Sequence, residues 1–436
     1  MATLPPYAAA EEALRQLVRA GIDQEEHVTS ALVRLGLEAL VNRILEEERT
    51  DFLGRERYER SEPSVDQPTA GYRNGYKPAR VKTAEGRVTV AVPQVRCSPT
   101  PFQPAAVGVL RGRSAELERL VIEMYARGLS TRDIEDTFRD PVTGQPLLSR
   151  TAVSQVTEAL WTEYQTFQER DLGEVEVIYL FVDALYEALR RQGRGRDGVL
   201  CAWAICADGR KVLVHLALGA TESYETWLDF LRDLVRRGLP TPLTITSDGS
   251  PGLLCAIGEV WPRSLRIRCW AHKMRNVLDK LPEAARAEVK AHLEAVRDAP
   301  TPAAGALAAG ALLDSFGSRF PAAMKSFSED LEASLAHLEL PLAHRKHART
   351  TNLLERAFVE ERRRTKIIPR FFDEHSGMKL VYAVLARASE RWQRVRMTAL
   401  EHKQLALLRT RLGLDPGPGT GRTAHEDDQE REEQVA

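Results

Sequence analysis

The sequence predicts an α/β fold in which a mixed β-sheet is followed by a block of helices and preceded by a mostly helical region. Three observations support this class. Strand-like and helix-like runs alternate between residues 174 and 281, whereas residues 282–340 are rich in Ala, Leu and Glu, as expected for helices. Residues 10–50 carry apolar side chains at helical spacing, among them Leu14 and Leu17.

Length and composition indicate an ordinary globular protein. The chain has 436 residues, 43% hydrophobic and 28% charged, which is enough for two to four domains. Its apolar runs are too short to cross a bilayer and its first residues lack the features of a signal peptide, so we expect a cytoplasmic protein with no membrane contact. Five scattered cysteines predict reduced thiols.

Charge is distributed unevenly along the chain. The formal net charge is −1, which by itself gives no sign of a nucleic-acid partner. Residues 51–113 nevertheless carry 11 Lys and Arg against 6 acidic residues, and residues 343–370 carry 9 against 3. The segment after Asp415 is acidic and rich in Gly and Pro, so residues 413–436 are predicted to be a disordered tail.

A small basic β element is predicted between two helical regions. Residues 1–60 form the first helical region, and 61–113 contain a hairpin because Arg87–Val95 alternates in polarity after a Glu85-Gly86 turn signal. A basic hairpin can follow DNA phosphates, although a solvated hairpin surface would have the same composition. The candidate DNA contacts in the hairpin are Arg73, Lys77, Arg80 and Lys82.

Residues 114–170 are predicted to form three helices. The first is Ser114–Arg127, the second follows a capping-box pattern from Ser130 to Asp133, and the third begins at Ser149. This pattern favours a helix-turn-helix-like DNA-binding region, with Arg132 and Arg150 as candidate contacts, over a helical linker. Residues 139–148 are longer than a standard turn.

Residues 171–281 change to a strand-rich texture. The predicted order is three strands, a helix, a strand, a helix and a strand, and Asp208-Gly209 joins the second and third strands. That order fits a mixed sheet of the ribonuclease-H kind better than an uninterrupted parallel sheet. An all-helical insertion at 282–345 and a final helical block at 346–412, with a break at Pro369, complete the predicted organisation.

Two aspartates follow predicted strands of this sheet. Asp183 is expected to close the apolar strand 175–182, where a charge is costly unless it faces a site, although a turn or helix-cap role is equally compatible. Asp248 follows the strand 243–246 and begins Asp-Gly-Ser-Pro-Gly, a pattern that turn formation alone also explains. Carboxylates held by neighbouring rigid elements are suited to binding Mg²⁺ and cleaving phosphodiesters.

A third acid, Glu355, lies near the start of the final helical block. Asn352 lies three residues before it, so a capping box is one explanation. Leu354 and Phe358 should form the buried stripe of this helix, with Glu355 at its rim. An acid beside several arginines is also suited to a metal next to a phosphate backbone. The arginines of this helix are Arg356, Arg362, Arg363 and Arg364, which we treat as candidate DNA contacts.

Several ordered blocks resemble the mutator-type transposases of bacterial insertion sequences, which are related to eukaryotic Mutator-like transposases. The blocks are GYRNGY (71–76), MYARGLSTRDIE (124–135), VDALYEALR (182–190), TSDGSPGL (246–253), RCWAHKMRNVLDKLP (268–282) and RTTNLLERAFVEERRRTK (349–366). The resemblance implies a DDE enzyme in which Asp183, Asp248 and Glu355 bind two Mg²⁺ ions, for which Mn²⁺ can substitute. It also implies a ribonuclease-H-like sheet with a helical insertion before the glutamate.

The same resemblance assigns supporting residues and partners. Cys269 and His272 match a Cys-x-x-His pair that supports the active site or contacts DNA; a buried thiol beside a helix-starting histidine is the alternative. Asn276 is given the same supporting role, or a structural one. The implied partners are double-stranded DNA (terminal inverted repeats and target) and further copies of the chain in a homodimer or larger assembly. Such an enzyme associates with the bacterial nucleoid when it is bound to DNA.

Two other functions fit the sequence less well than an active transposase does. A catalytically inactive DNA-binding protein derived from one is disfavoured by the three intact acids. Glycoside hydrolysis by paired carboxylates would require aromatic sugar platforms, and only 6% of the residues are aromatic.

Overall fold

The computed structural model describes residues 5–19, 28–59, 71–109, 112–140, 143–187, 197–219, 223–365 and 374–414. They belong to two compact units, Met1–Ala159 and Leu160–Ala436. Pro369 and residues 415–436 of the predicted acidic tail lie outside the described residues. None of the described helices is both long and apolar enough to span a membrane.

The first unit joins helices to a small sheet. Its elements are α1 (Pro6–Arg19), α2 (Val28–Leu53), β1 (Tyr72–Thr83), β2 (Gly86–Arg96), α3 (Ala105–Val109), β3 (Gly112–Arg113), α4 (Ala115–Ala126), α5 (Thr131–Thr137) and the start of α6 (Arg150–Glu169). The predicted hairpin is confirmed: β1 and β2 are antiparallel, and β3 pairs with β1. The hairpin packs on α2, because Val41 and Leu45 share a core with Val88 and Val90.

The helices α4, α5 and α6 form where the sequence predicted them. The Ser114 hydroxyl accepts a hydrogen bond from the Leu117 N–H, and the predicted capping box between Ser130 and Asp133 is present in both directions. Leu117 and Ile134 are fully buried in the core that these helices share.

The second unit is built on a five-stranded sheet within the described residues. Its strands are β4 (Val177–Glu187), β5 (Asp197–Cys206), β6 (Lys211–Gly219), β7 (Thr244–Ser247) and β8 (Leu265–Arg268). They lie in the order β6-β5-β4-β7-β8. The pairs β4–β5 and β5–β6 are antiparallel, whereas β4–β7 and β7–β8 are parallel. The predicted mixed α/β sheet is therefore confirmed.

Side chains bury both faces of the central strand β4. The helices α7 (Tyr224–Arg236) and α8 (Pro251–Val260) share one core with Leu180 and Val182. On the alternate positions, Phe181 stacks on Trp203 with 4.2 Å between ring centroids. Burial on both faces explains why this strand lacks polar alternation until Asp183. The expectation that Asp183 closes the strand was wrong, because β4 continues to Glu187 through pairing with β5.

The remaining helices follow the sheet. They are α9 (Trp270–Leu278), α10 (Glu283–Arg297), α11 (Pro302–Phe316), α12 (Pro321–Ser328), α13 (Leu331–Leu335), a 3₁₀ helix (Ala336–Glu339), α14 (Leu342–Ala348), α15 (Asn352–Thr365), α16 (Glu374–Glu390) and α17 (Ala399–Arg411). The helices predicted for residues 282–345 are present. The helix α9 and the extended break between α16 and α17 were not predicted from the sequence.

The helix α9 joins the sheet to the insertion. Trp270 is fully buried, and its indole N–H donates to the Ser334 carbonyl at 2.7 Å. Lys273 is also buried, and its ammonium donates to the carbonyls of Ser326, at 2.8 Å, and Glu329. These contacts satisfy buried polar groups on both sides, so α9 is fixed against the helices that follow it.

Candidate active site at the ends of the parallel strands

Parallel pairing brings Asp183 and Asp248 to the same level of the sheet. In β4 and β7, Phe181 pairs with Thr246. Asp183 lies two residues beyond Phe181, and Asp248 lies two residues beyond Thr246. The two aspartates therefore lie beside each other where β7 ends, and the charge of Asp248 raises the electrostatic cost of ionising Asp183.

The Asp183 carboxyl group is held in a largely buried setting. Burial raises its pKa to about 6, and the charge of Asp248 acts in the same direction. His272 and the Thr351 hydroxyl oppose this shift, as does the Ala184 N–H, which donates to Oδ1 at 2.9 Å. A buried carboxyl group with a second carboxylate beside it is expected to gain stability from a positive partner.

Asp248 is fixed by its own turn. Its Oδ1 accepts a hydrogen bond from the Ser250 N–H at 2.9 Å, and Gly249 between them has a φ of +84°. The turn interpretation of Asp-Gly is thus confirmed, and it does not exclude a role in a site, because the second carboxylate oxygen is not used by the turn.

The segment 348–351, which leads into α15, is tied along the ends of the strands. The Ala348 carbonyl accepts from the Thr246 hydroxyl at 2.7 Å, and the Arg349 carbonyl accepts from the Trp270 N–H at 2.9 Å. Thr351, fully buried, donates its N–H to the Cys269 sulfur at 3.3 Å. The start of the Glu355-bearing helix is therefore fixed against the sheet.

Cys269 follows β8 and forms the other half of this connection. It is fully buried, and its N–H donates to the Ser247 carbonyl at 2.9 Å. Its Sγ also lies 3.4 Å from the Thr351 hydroxyl. Burial raises the pKa of the Cys269 thiol, but His272 and Thr351 outweigh that effect, so the net shift is downward. Cys269 is thus a buried thiol in contact with Thr351, as one of the two interpretations requires, and its support of an active site remains a prediction.

The Glu355 carboxylate lies beside His272 and Arg275. Its Oε1 lies 3.7 Å from His272 Nε2 and 4.0 Å from Arg275 Nη2, and this buried oxygen accepts no hydrogen bond from any described residue. The helix begins at Asn352, and among the described residues no hydrogen bond joins Asn352 to the Glu355 carboxylate. The carboxylate is therefore directed into the cluster, and the capping-box explanation is not supported.

His272 is the central cation of the cluster. The neighbouring Cys269 sulfur is the largest influence that raises its pKa, and Asp183 and Glu355 add to it, so that its pKa reaches about 9 despite partial burial. The imidazole is therefore protonated at neutral pH and balances the surrounding carboxylates. Asn276, by contrast, lies behind the cluster, where its amide fits between the His272 carbonyl and Arg268.

The acids are close to one another but do not form a finished metal site. Within the described residues, no group of three His, Cys, Asp or Glu side chains is compact enough to hold an ion. Asp183 and Asp248 are adjacent, whereas Glu355 lies on the far side of His272. The set of donors is nevertheless rich in carboxylate oxygens, and one of them, Glu355 Oε1, is buried without a hydrogen bond.

The candidate DNA contacts divide into exposed and internally paired side chains. Exposed members are Lys77, Arg80, Arg132, Arg356 and Arg362; Lys82 is half-buried. Paired members are Arg73 with Glu46 (3.0 Å), Arg150 with Glu135 (2.9 Å), and Arg363 and Arg364 with Glu360 (2.8 Å for Arg364). Contact with DNA remains a prediction for all of them.

Sequence reasoning missed three residues of this site. Thr351 contacts Asp183 and Cys269, Arg275 approaches Glu355, and Arg268 packs against Gly249, next to Asp248. Thr351 carried one signal, because a threonine directly before a helix is a common N-cap. Arg268 carried none, since a strand arginine next to a cysteine has no characteristic spacing.

Comparison with known proteins adds independent information. The chain matches the family model described as "Transposase, Mutator family" over residues 8–395. It is 34% identical over 359 residues to a transposase for insertion sequence element IS406 from Burkholderia multivorans, covering 82% of this chain and 90% of that protein. It is 31% identical over 377 residues to the transposase for ISRM5 from Rhizobium meliloti, covering 85% and 92%. The transposase for IS256 in transposon Tn4001 from Staphylococcus aureus is 27% identical over 359 residues, covering 82% and 90%.

Proposed function

This chain belongs to the Mutator family of transposases, and on that premise we propose that it cleaves DNA at the terminal inverted repeats of its own insertion sequence and joins the freed 3′-hydroxyl to another strand. The proposed catalytic residues are Asp183, Asp248 and Glu355. One observation supports this assignment: Phe181 and Thr246 pair in the parallel register of β4 and β7, each two residues before one of the aspartates, and the Glu355 carboxylate lies 3.7 Å from His272, whose charge also acts on Asp183.

We further assign the sheet to the ribonuclease-H-like class. The support is its order, β6-β5-β4-β7-β8, in which two antiparallel pairs are followed by two parallel ones. In open sheets of this kind ligands bind beyond the carboxyl ends of parallel strands. Asp183 and Asp248 lie at that end, and the helical insertion separates them in sequence from Glu355.

The residues fit a pair of divalent cations in chemistry. Asp183, Asp248 and Glu355 would hold the ions through their carboxylate oxygens. Two observations support cation binding here: Oε1 of Glu355 is buried and accepts no hydrogen bond from a described residue, and burial raises the pKa of Asp183 to about 6. The chemistry that bound Mg²⁺ ions supply is activation of the attacking oxygen and stabilisation of the leaving oxygen.

Both reaction steps are displacements at phosphorus. In cleavage, the water oxygen bonds to phosphorus while the bond to the 3′-oxygen breaks, and the two products are a 3′-hydroxyl and a 5′-phosphate. In strand transfer, the freed 3′-oxygen bonds to a target phosphorus and the target's own 3′-oxygen leaves with a proton. His272, protonated at neutral pH because its pKa is about 9, is placed to balance the acids and to face the phosphate. The exposed cations Arg356 and Arg362 of α15 would bind the adjoining backbone.

The test is cleavage of the DNA that flanks the gene by purified protein with Mg²⁺. We expect nicking at a fixed position that is lost in Asp183→Asn, Asp248→Asn and Glu355→Gln, while DNA binding persists. Glu360→Gln is the matched control, because Glu360 lies on the same helix and pairs with Arg363 and Arg364 instead of facing the acids. It should cut like the wild type.

Each result has a distinct meaning. Normal cutting by any of the three variants removes that residue from the catalytic set, and loss of cutting in Glu360→Gln moves the third acid to position 360. Binding without cutting by the wild type would favour the inactive DNA-binding derivative. Because an insertion sequence has two ends, we also propose that two or more copies act together, which light scattering of the protein with end DNA measures.

A further inference from the structure

The turn that carries Asp248 rests directly on the side chain of Arg268. A Cβ atom placed on Gly249 would lie 2.5 Å from both Cζ and Nη1 of Arg268 and 2.7 Å from its Nε. Gly249 also has a φ of +84°, where side chains are strained. Two features therefore favour glycine at this position. They are the positive φ and the guanidinium of Arg268, which lies flat against the backbone.

Arg268 is buried, and it is fixed from behind. It is the last residue of β8, pairs in register with Ser247 and is 7% exposed. With the Asn276 amide oriented to suit both neighbours, its oxygen accepts from Arg268 Nη2 at 3.2 Å and its nitrogen donates to the His272 carbonyl at 3.3 Å. Asn276 thus joins the arginine behind Asp248 to the helix that carries His272.

The charge of Arg268 is buried close to the acid cluster. Its Nη1 makes no hydrogen bond to any described residue. Burial lowers the pKa of Arg268, and among the groups that raise it Asp248 acts most strongly, ahead of Cys269 and Asp330. A buried guanidinium with an unused donor is costly unless a negative group lies alongside. Asp248 is the acid with the largest charge effect on Arg268, and its neighbour Gly249 lies directly against the guanidinium.

We propose that Arg268, held by Asn276, is a positioning residue that sets the place of the Asp248 carboxylate and supplies a positive charge behind it. This inference rests on the proposed function, since it assigns a role in the same site. It explains Asn276, which the sequence singled out but which does not face the acids. It also explains why a buried arginine ends a strand two residues after Arg266, whose charge is instead used by Asp330 at 2.8 Å.

The experiment compares Arg268→Gln with Arg266→Gln, the same change two residues earlier on the same face of β8. Mn²⁺ binding is measured without DNA by paramagnetic resonance of the free ion, and cleavage of end DNA is measured against Mg²⁺ concentration. We expect Arg268→Gln to weaken Mn²⁺ binding and to raise the half-saturating Mg²⁺ concentration by about tenfold, with DNA affinity unchanged. Arg266→Gln should change neither metal quantity. Arg268→Lys restores the charge without the planar fork and should recover about half of the loss on a logarithmic scale.

Equal metal binding and equal Mg²⁺ dependence in the two glutamine variants would overturn the proposal and leave Arg268 a structural residue. If Arg268→Gln does not fold, Asn276→Ala takes its place, because it retains the arginine and removes the amide oxygen; it should weaken Mn²⁺ binding, and an unchanged affinity would overturn the proposal. Absence of Mg²⁺-dependent cleavage in the wild type is a separate result, which would overturn the proposed function.

Discussion

The carboxyl ends of the parallel strands and the basic hairpin were both predicted to be functional. Strand pairing positions the residues of the first region, whereas ion pairing positions those of the second. At the sheet end, backbone register alone places Asp183 beside Asp248. In the hairpin, Arg73 turns inward to Glu46 and is 19% exposed, whereas Lys77 on the same strand is exposed. Strand pairing thus fixes residues at strand ends, while the availability of a surface cation depends on whether another helix offers it a carboxylate.

The largest expected effect comes from Thr351, in the segment 348–351 that leads into α15. Thr351→Val removes the hydroxyl that lowers the pKa of Asp183 and lies 3.4 Å from Cys269 Sγ, while keeping the side-chain shape. Cleavage should slow by about 10- to 100-fold, since such supporting contacts have effects of that size. The measurement is single-turnover cleavage of end DNA at saturating Mg²⁺.

Two variants make this result specific. Thr351→Ser keeps the hydroxyl and should stay within a few-fold of the wild type, and Thr350→Val makes the same change one residue earlier, away from Cys269 and Asp183. A rate for Thr351→Val equal to that of Thr350→Val would mean that strand register alone positions the acids, which would sharpen the contrast with the hairpin.

The sequence predicts the strands of both regions, because each strand carries a local pattern. Alternation and a turn signal located the hairpin, and apolar runs bounded by turn signals located the strands from β4 to β8, because both patterns report which faces of a strand are buried. Asp183 and Asp248 could be chosen because each follows an apolar run. The end of β4 was misplaced, since its pairing with β5 outlasts its apolar pattern, and Asp183 lies inside the strand.

The rest of the site depends on contacts between distant segments. Thr351 approaches Cys269 only because residues 348–351 return to the strand ends after the helical insertion, and no spacing in the sequence encodes that return. Arg268 and Asn276 likewise meet only when α9 folds back beside β8. Such partners are determined by packing, so sequence patterns identify the elements and not the side-chain pairs between them.

A smaller effect is expected from His337, which helps to hold α9 from behind the sheet end. Burial lowers its pKa to about 4, and its Nε2 donates to the Arg297 carbonyl at 2.9 Å while Trp270 approaches its Nδ1 at 3.3 Å. An unfolded histidine has a pKa of about 6.5, so between pH 6.5 and 4 the unfolded chain binds a proton that the folded chain does not. Stability should therefore fall as the pH drops through this window, by up to about 1.4 kcal/mol per pH unit from this residue.

Urea unfolding between pH 4.5 and 7.5 measures this contribution. His337→Gln should have a shallower loss of stability toward low pH than the wild type, whereas His292→Gln, which changes an exposed histidine of the same insertion, should keep the wild-type slope. Parallel slopes for all three proteins would show that burial of His337 does not contribute to the loss of stability at low pH.

The smallest expected effects come from the basic hairpin, where Lys77 is compared with Arg73. Lys77→Gln removes an exposed cation, so the slope of log Kobs against log salt for end DNA should become shallower by about 0.9, the contribution of one phosphate contact. Arg73→Gln removes contacts to Glu46, Thr50 and the Arg55 carbonyl at 2.9–3.0 Å. It should leave that salt slope unchanged and instead lower the free energy of unfolding by about 1 kcal/mol. Fluorescence anisotropy of labelled end DNA at several salt concentrations separates the two outcomes. If Arg73→Gln changes the slope as much as Lys77→Gln does, Arg73 leaves Glu46 to bind DNA, and an internal ion pair then does not distinguish structural cations from DNA-binding ones.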